Sequence, residues 1–249
     1  MGGAFSMTRT TSMIQHGISI IVSTNRPQFM NHMLRNYLRQ RWTKKELIVI
    51  VNKEYVDMRP YQRMARSIAN IQVFHLPPSR NTLGRCLNFA TNRAKYSYVA
   101  KMDDDEYYAP LYLVGMMRAF RRSRADIVGK KAYFIHLSGS QLLLQRFNTP
   151  NRFVNIVSGG TIIFKRKVWN QVKFPNRSIG EDVVFCSSCR RAGFKIYSAD
   201  LYNFCALRRK NPKSHTWQVQ DQQFIAHRHS KVIARTNNYR SYVIRSYPE

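Results

Sequence analysis

The stretch Tyr98-Val99-Ala100-Lys101-Met102-Asp103-Asp104-Asp105-Glu106 runs from a largely apolar, strand-like segment directly into four adjacent acids. The chain holds only 13 Asp and Glu against 41 Lys and Arg, so this clustering is not a sampling of a generally acidic surface. Four neighbouring carboxylates repel one another. A divalent cation relieves that repulsion, because hard oxygen ligands suit Mg²⁺ or Mn²⁺. A strand that ends in carboxylates also delivers them to the carboxyl edge of a sheet, where open α/β folds bind ligands. A solvated acidic turn is the plain alternative; the place of the cluster after a strand favours a metal–phosphate site.

Upstream, the segments alternate between two patterns. Gly17-Ile-Ser-Ile-Ile-Val-Ser23 is a near-continuous apolar run, as expected of a parallel strand buried on both faces. Pro27 suits the first turn of a helix, and Phe29, Met33 and Tyr37 with Met30, Leu34 and Leu38 give a helical stripe. Glu46 to Asn52 and Ile71 to Leu76 read as the second and third strands, separated by a looser helix around Pro60 to Asn70. Asn81 to Ala94 reads as a helix, with Asn81 or Thr82 as its cap. Strand–helix alternation at this spacing predicts parallel strands joined by right-handed crossovers. Ser23, Thr24, Arg26, Asn52 and Asp103 to Asp105 all fall where strands end, so they are expected on one rim of the sheet.

Downstream the pattern is mixed. A helix follows Pro110; Asp126 to Leu137, Gln141 to Phe147 and Thr161 to Phe164 read as strands, with Ser138-Gly-Ser140 as a hairpin turn. Gly159-Gly160 marks a turn or a close approach of the backbone to another group. Gly180-Glu181-Asp182 opens a helix with Gly193 at its C-cap, so two carboxylates sit in a first turn, where the helix dipole favours their ionised form. Helix-end electrostatics would explain one acid. A second adjacent pair in so acid-poor a chain suggests division of acid, base and binding roles.

Length and an apolar fraction of 44% fit one large α/β domain. Residues 1–15 are small and polar and are expected to be disordered; residues 16–217 form the domain, divided into 16–110 and 111–217; residues 218–249 form a basic extension. No apolar run reaches the roughly 18 residues of a spanning helix, and no signal-peptide pattern opens the chain. Cys86, Cys186, Cys189 and Cys205 do not make a disulfide framework, and Cys186-Ser-Ser-Cys189 lacks the second pair of a zinc site, which fits a reducing cytoplasm. The net charge of +28 predicts attraction to phosphate-rich partners: nucleotides, an anionic polymer, or peripherally the inner face of a membrane.

Taken in order, Ser23-Thr-Asn-Arg-Pro27, Met102-Asp-Asp-Asp105 and Gly180-Glu-Asp182 resemble the family 2 glycosyltransferases of GT-A fold, over roughly Ile18 to Trp217. Within the family the chain looks most like bacterial transferases of spore-formers, including spore-coat types. The resemblance implies a Rossmann-like, mostly parallel central sheet with a smaller mixed or antiparallel part. It places Thr24 and Arg26 against a nucleotide base and Arg85, with Arg80 and Asn88, near the ribose or diphosphate. The family's usual base-reading Asp is Asn52 here, which leaves the base open, since an amide donates as well as accepts. Asp105 would ligate Mn²⁺ or Mg²⁺, and Asp103 and Asp104 would hold ribose or sugar hydroxyls. Asp182 would be the base that deprotonates the acceptor, with Glu181 orienting it or exchanging roles with it, and with inversion at the anomeric carbon. His215 would complete the metal site or contact the diphosphate, and Trp217 would stack on a sugar or pack in the core.

The expected function is therefore metal-dependent transfer from a nucleotide-diphospho-sugar, UDP-linked by preference, to an acceptor hydroxyl of a glycan or lipid-linked substrate in cell-wall, spore-coat or surface polysaccharide synthesis. A metal-dependent nucleotidyltransferase or nuclease is the competing enzyme reading. A non-catalytic module that binds nucleic acid or an anionic polymer is the competing non-enzyme reading, and it rests on charge alone. No Gly-Lys-Ser/Thr phosphate loop supports triphosphate hydrolysis, and no aromatic face suits single-stranded nucleic acid.

Overall fold

The computed structural model describes residues 16–211, 215 and 219–247. The first half is β1 (Ile18–Thr24), a 3-10 turn (Pro27–Phe29), α1 (Met30–Leu38), β2 (Lys45–Val51), α2 (Arg59–Ser67), β3 (Ile71–His75), α3 (Leu83–Arg93) and β4 (Tyr98–Lys101). Then come β5 (Tyr107–Tyr108), α4 (Tyr112–Ser123), β6 (Ile127–Gly129), β7 (Tyr133–Leu137), β8 (Leu142–Arg146), β9 (Arg152–Phe153), a 3-10 turn (Gly159–Thr161), β10 (Ile163–Lys165) and α5 (Arg166–Gln171). The chain continues with α6 (Glu181–Arg191), β11 (Ile196–Ser198), β12 (Phe204–Arg208), α7 (Asp221–Ile225), β13 (Ser230–Arg235) and α8 (Arg240–Val243). The strands form an eight-stranded sheet in the order β3-β2-β1-β4-β10-β6-β11-β9 and a five-stranded sheet in the order β13-β8-β7-β12-β5.

The four N-terminal strands pair in parallel, β10 runs antiparallel between β4 and β6, and β6 is parallel to β11. The apolar runs of β1 and β2 are buried on both faces because helices cover both. Val22, Leu47 and Val49 pack with Met33 of α1, Tyr61 of α2 and Met116 of α4. Ile21, Ile48 and Ile50 pack on the opposite side with Leu87 of α3, Val168 of α5 and Phe185 of α6. Each such aliphatic side chain removed from water contributes about 1.5–3 kcal/mol. Helix α3 begins where Thr82 accepts a hydrogen bond from the Arg85 N–H, and Gly193, at φ 84°, allows the chain to turn after α6.

Three features differ from the sequence expectation. The run 126–137 is not one strand: the chain leaves the large sheet after Gly129 and enters the small one at Tyr133. The break falls at Lys130, whose Nζ donates to the Asp200 carbonyl at 2.5 Å and its carboxylate at 3.2 Å. The halves divided at 110 interlock, since β10 joins the large sheet and β5 the small one. Nor do residues 218–249 stand apart as an extension: β13 is an edge strand of the small sheet, Phe224 and Val243 are buried, and the Tyr247 hydroxyl donates to Asp200 at 2.9 Å. Residues 1–15 and Trp217 lie outside the described residues.

Candidate active site

Strand β4 ends at Lys101, and the acids follow at once. They do not all face one way. Asp104 is almost fully buried and accepts hydrogen bonds from the Thr24 hydroxyl and from Arg26, with which it forms an ion pair. Asp105 accepts from Arg26 Nη1 at 2.7 Å and from Arg209 Nη1 at 2.8 Å. Burial, followed by the Asp105 charge, pushes the Asp104 carboxyl up to about 6. Burial also opposes ionisation of Asp105, but the guanidinium groups of Arg26 and Arg209 outweigh it and hold that carboxyl below its ordinary range. Glu106 turns under the cluster to accept the Leu207 N–H at 2.5 Å and tie β12 to the acidic loop. Its enclosure, then Asp105, raises it well above the usual carboxylate range.

Asp103 points the other way. Its carboxylate takes a 2.6 Å hydrogen bond from Lys101 Nζ, a buried ammonium inside the strand. Burial would lower Lys101, but Asp103, Glu181 and Asp182 together hold it above its ordinary value. The loop of Gly159-Gly160 connects the two acidic units. A Cβ on Gly160 would stand 2.8 Å from Asp103 Oδ2, and one on Gly159 would stand 2.3 Å from Asp182 Oδ2. The turn thus passes between the two carboxylates, with Asp182 against one glycine and Asp103 against the next. The Tyr108 hydroxyl donates to the Gly160 carbonyl at 2.6 Å and accepts the Asp103 N–H at 2.8 Å, fixing the turn against the acidic loop. Glu181 is buried and raised, chiefly by burial, whereas Asp182 is half-exposed, with Oδ1 accepting the Val183 N–H at 2.8 Å. The accessible carboxylate of the pair is thus Asp182.

His215 is buried beside Asp105, with Nδ1 3.8 Å from Asp105 Oδ2. Burial, then Arg208 and Arg209, bring its pKa down to about 4, so its imidazole is neutral at pH 7. Its Nε2 accepts the Arg209 N–H at 2.9 Å. No group of three His, Cys, Asp or Glu among the described residues could hold a metal unaided. A carboxylate and a neutral imidazole this close nevertheless suit a cation that takes its remaining ligands from a diphosphate and water, as Mg²⁺ usually does. Ligation through Nδ1 requires Nε2 to carry the proton and to release the Arg209 N–H.

Several expected contacts are engaged elsewhere. Thr24 and Arg26 hold the acidic cluster itself, so the carboxylates reduce their freedom to meet a base. The Asn52 amide donates to the carbonyls of Leu76 at 2.7 Å and Asn81 at 3.1 Å, tying the ends of β2 and β3 together. Asn88 donates to Phe174 O and accepts from Trp169 Nε1 and Phe174 N, so it is a brace in the core and does not face the rim. Arg85 is exposed at the start of α3, where Nη1 donates to the Arg80 carbonyl. Cys186 and Cys189 are buried thiols, each pushed up to about 12 chiefly by burial, and among the described residues no third His, Cys, Asp or Glu joins them in a metal-holding group. Lys101 and Arg209 are contributors the sequence reading passed over; the signal for Lys101 was a charge inside an apolar strand. A hollow of about 330 Å³ lined by Pro27, Met30, Tyr55 and Tyr61 adjoins the loop that carries Arg26.

Residues 19–195 match the profile of Glycosyl transferase family 2. The chain belongs to that family. Among curated proteins, the family 2 chain is 24% identical over 160 residues to the O-antigen biosynthesis glycosyltransferase WbnJ of Escherichia coli, a match that covers 61% of this chain and 62% of WbnJ. Among solved structures it resembles residues 1–349 of S. aureus TarS bound to UDP-GlcNAc, with TM-score 0.59 and 19% identity, over 78% of this chain and 59% of that one. It also resembles the mannosyltransferase PcManGT of Pyrobaculum calidifontis bound to GDP-Man and Mn²⁺, with TM-score 0.59 and 17% identity, over 79% of this chain and 57% of that one. The chain thus spans about 60% of the length of these relatives. These likenesses establish the GT-A fold. Among the described residues, no helix is long and apolar enough to cross a membrane.

Proposed function

We propose that the protein transfers a sugar from a nucleotide-diphospho-sugar to an acceptor hydroxyl, with inversion at the anomeric carbon. The observation that carries this reading is the Gly159-Gly160 turn, with Asp182 against one glycine and Asp103 against the next. An acid that suits donor binding and the carboxylate that suits a base flank one turn. Family membership favours sugar transfer over phosphodiester chemistry.

In this reading the donor diphosphate lies at Asp105, Arg26 and Arg209, with Arg85 at the same rim of the sheet. Asp103 holds sugar or ribose hydroxyls and Lys101 fixes its orientation. Asp105 and His215 hold Mg²⁺ or Mn²⁺, which when bound stabilises the negative charge that develops on the departing diphosphate. Asp182 accepts the acceptor's hydroxyl proton as that oxygen attacks the anomeric carbon from the face opposite the diphosphate. General-base help of this kind contributes about 10²–10⁴-fold in rate. UDP is the nucleotide we favour, and synthesis of a surface or cell-envelope polysaccharide at the inner face of the membrane is the setting we favour. The test is thermal unfolding with UDP, GDP and dTDP, each with and without Mn²⁺. The reading expects one nucleotide–metal pair to raise the unfolding temperature, and a flat response to all of them would defeat it.

A further inference from the structure

The small sheet carries a cation that the chemistry above does not use. Arg146, the last residue of β8, is buried to 6% exposure. Its Nε is sealed from solvent and has no hydrogen-bond partner, and among the described residues no carboxylate pairs with its guanidinium. Its neighbours add positive charge. Lys131 Nζ sits 4.1 Å from the centre of the Phe147 ring, and the Arg146 guanidinium sits 5.1 Å from the same ring. Arg146 and Arg208 both approach the Phe224 ring, at 5.4 and 5.1 Å. Burial, then Arg146, lowers Lys131. Aromatic faces attract cations only weakly and do not replace a counter-charge, so a guanidinium enclosed this way is costly to leave unpaired.

The strand register shows where this cation faces. Arg146 is directly opposite Tyr133 on one side and Ser230 on the other, so the three side chains share one face of the sheet. The Ser230 hydroxyl is also sealed and without a partner. The Ser158 N–H donates to the carbonyl of Lys130, next to Lys131, at 2.8 Å. Ser158 precedes Gly159, whose Cα hydrogens face Asp182. The segment that leads into the Arg146 strand pair is thus tied to the turn that lies against Asp182.

We propose that Arg146, with Ser230 and Lys131, binds an oxyanion, a phosphate or carboxylate carried by the acceptor. Two idle donors beside an ammonium call for a group that is negative and rich in acceptor atoms, and a guanidinium presents a planar fork to such a group. This rests on the transferase reading, because it takes the group beside Asp182 to be the acceptor. It names the acceptor class: a hydroxyl-bearing molecule with an anionic substituent, held at one end by Arg146 while its hydroxyl reaches the base.

The experiment titrates the full chain with inorganic phosphate and, separately, acetate at constant ionic strength, and reads binding by calorimetry. The variants are Arg146→Met, Arg146→Lys and, as a control for net charge, Arg63→Met, an exposed arginine of α2. One of the two anions is expected to bind saturably to the wild type and to Arg63→Met. Its affinity should fall at least about tenfold in Arg146→Met, the loss of a charge-assisted contact, and recover in part in Arg146→Lys. Which anion binds distinguishes a phosphate-bearing acceptor from a carboxylate-bearing one. Without anion, Arg146→Met should unfold at the same temperature as the wild type or higher, since it removes an uncompensated buried charge; a purely structural arginine would show a drop. UDP, GDP and dTDP with Mn²⁺ should behave alike with wild type and Arg146→Met. Undiminished anion binding by Arg146→Met, or none by the wild type, overturns the proposal. So does loss of nucleotide binding in Arg146→Met, which would assign the residue to the donor. If neither protein binds any nucleotide, the transferase reading fails instead, and the anion titration still reports on Arg146.

Discussion

Arg26 and Arg146 are both largely enclosed, yet the chain treats them in opposite ways. Arg26 meets Asp104 and Asp105, and Arg209 joins it on Asp105, so these cations have carboxylate partners before anything binds. Arg146 meets no carboxylate at all among the described residues. A buried charge is tolerated only when something compensates it. At Arg26 that compensation is internal and, in the proposed reading, is exchanged when a diphosphate arrives. At Arg146, in the proposed reading, it comes from a bound anion.

The strongest way to break this contrast is to remove the internal partner. Asp105→Ala leaves Arg26 and Arg209 short of a carboxylate and takes away the proposed metal ligand. At a nucleotide–Mn²⁺ concentration 100 times the wild-type Kd, the wild type should gain about 2.7 kcal/mol of stability and the variant almost none, read as the shift in denaturant midpoint. Gly159→Ala tests whether the two ends truly share the turn. The new methyl has nowhere to go but into Asp182, so the fold should lose about 1–3 kcal/mol and turnover should fall while nucleotide affinity holds.

A smaller effect comes from His215. In the fold it titrates at about 4 against an ordinary 6.5, so between those values the unfolded chain binds a proton that the folded chain does not. Its contribution to stability therefore rises with pH across that window and is lost as pH falls through it. His215→Gln should flatten the stability profile there by about 1–2 kcal/mol relative to wild type, measured by chemical denaturation at several pH values without metal. Smallest of all, Arg85→Ala should leave stability within about 0.5 kcal/mol and weaken nucleotide binding about threefold, a change calorimetry resolves.

The Arg26 end was also the legible end. Parallel strands buried on both faces write continuous apolar runs, so β1 to β4 and the acids at their rim could be read directly, whereas Gly159-Gly160 read equally well as a plain turn. What each polar residue does there could not be read, because it depends on partners far along the chain. Arg26 bonds to acids 78 and 79 positions away, and Asn88, placed on a helix near the rim, is drawn into the core by Trp169 and Phe174. The small sheet was harder. The run 126–137 hides a change of sheet at Lys130, since both its halves are largely apolar and only Gly129-Lys130-Lys131 marks the crossing. Nothing in a chain with 41 cations distinguishes Arg146; its significance lies wholly in what the fold withholds from it.

The most direct measurement compares wild type with Asp182→Asn on a panel of UDP-, GDP- and dTDP-sugars with Mn²⁺, scoring nucleotide binding and release of free nucleoside diphosphate in the same samples. If Asp103 to Asp105 hold the donor and Asp182 activates the attacking hydroxyl or water, both proteins bind the same nucleotide and only the wild type releases it at an appreciable rate, with a loss of about 10²–10⁴-fold in the variant. Equal release by the two proteins, or binding lost together with turnover, would contradict the account.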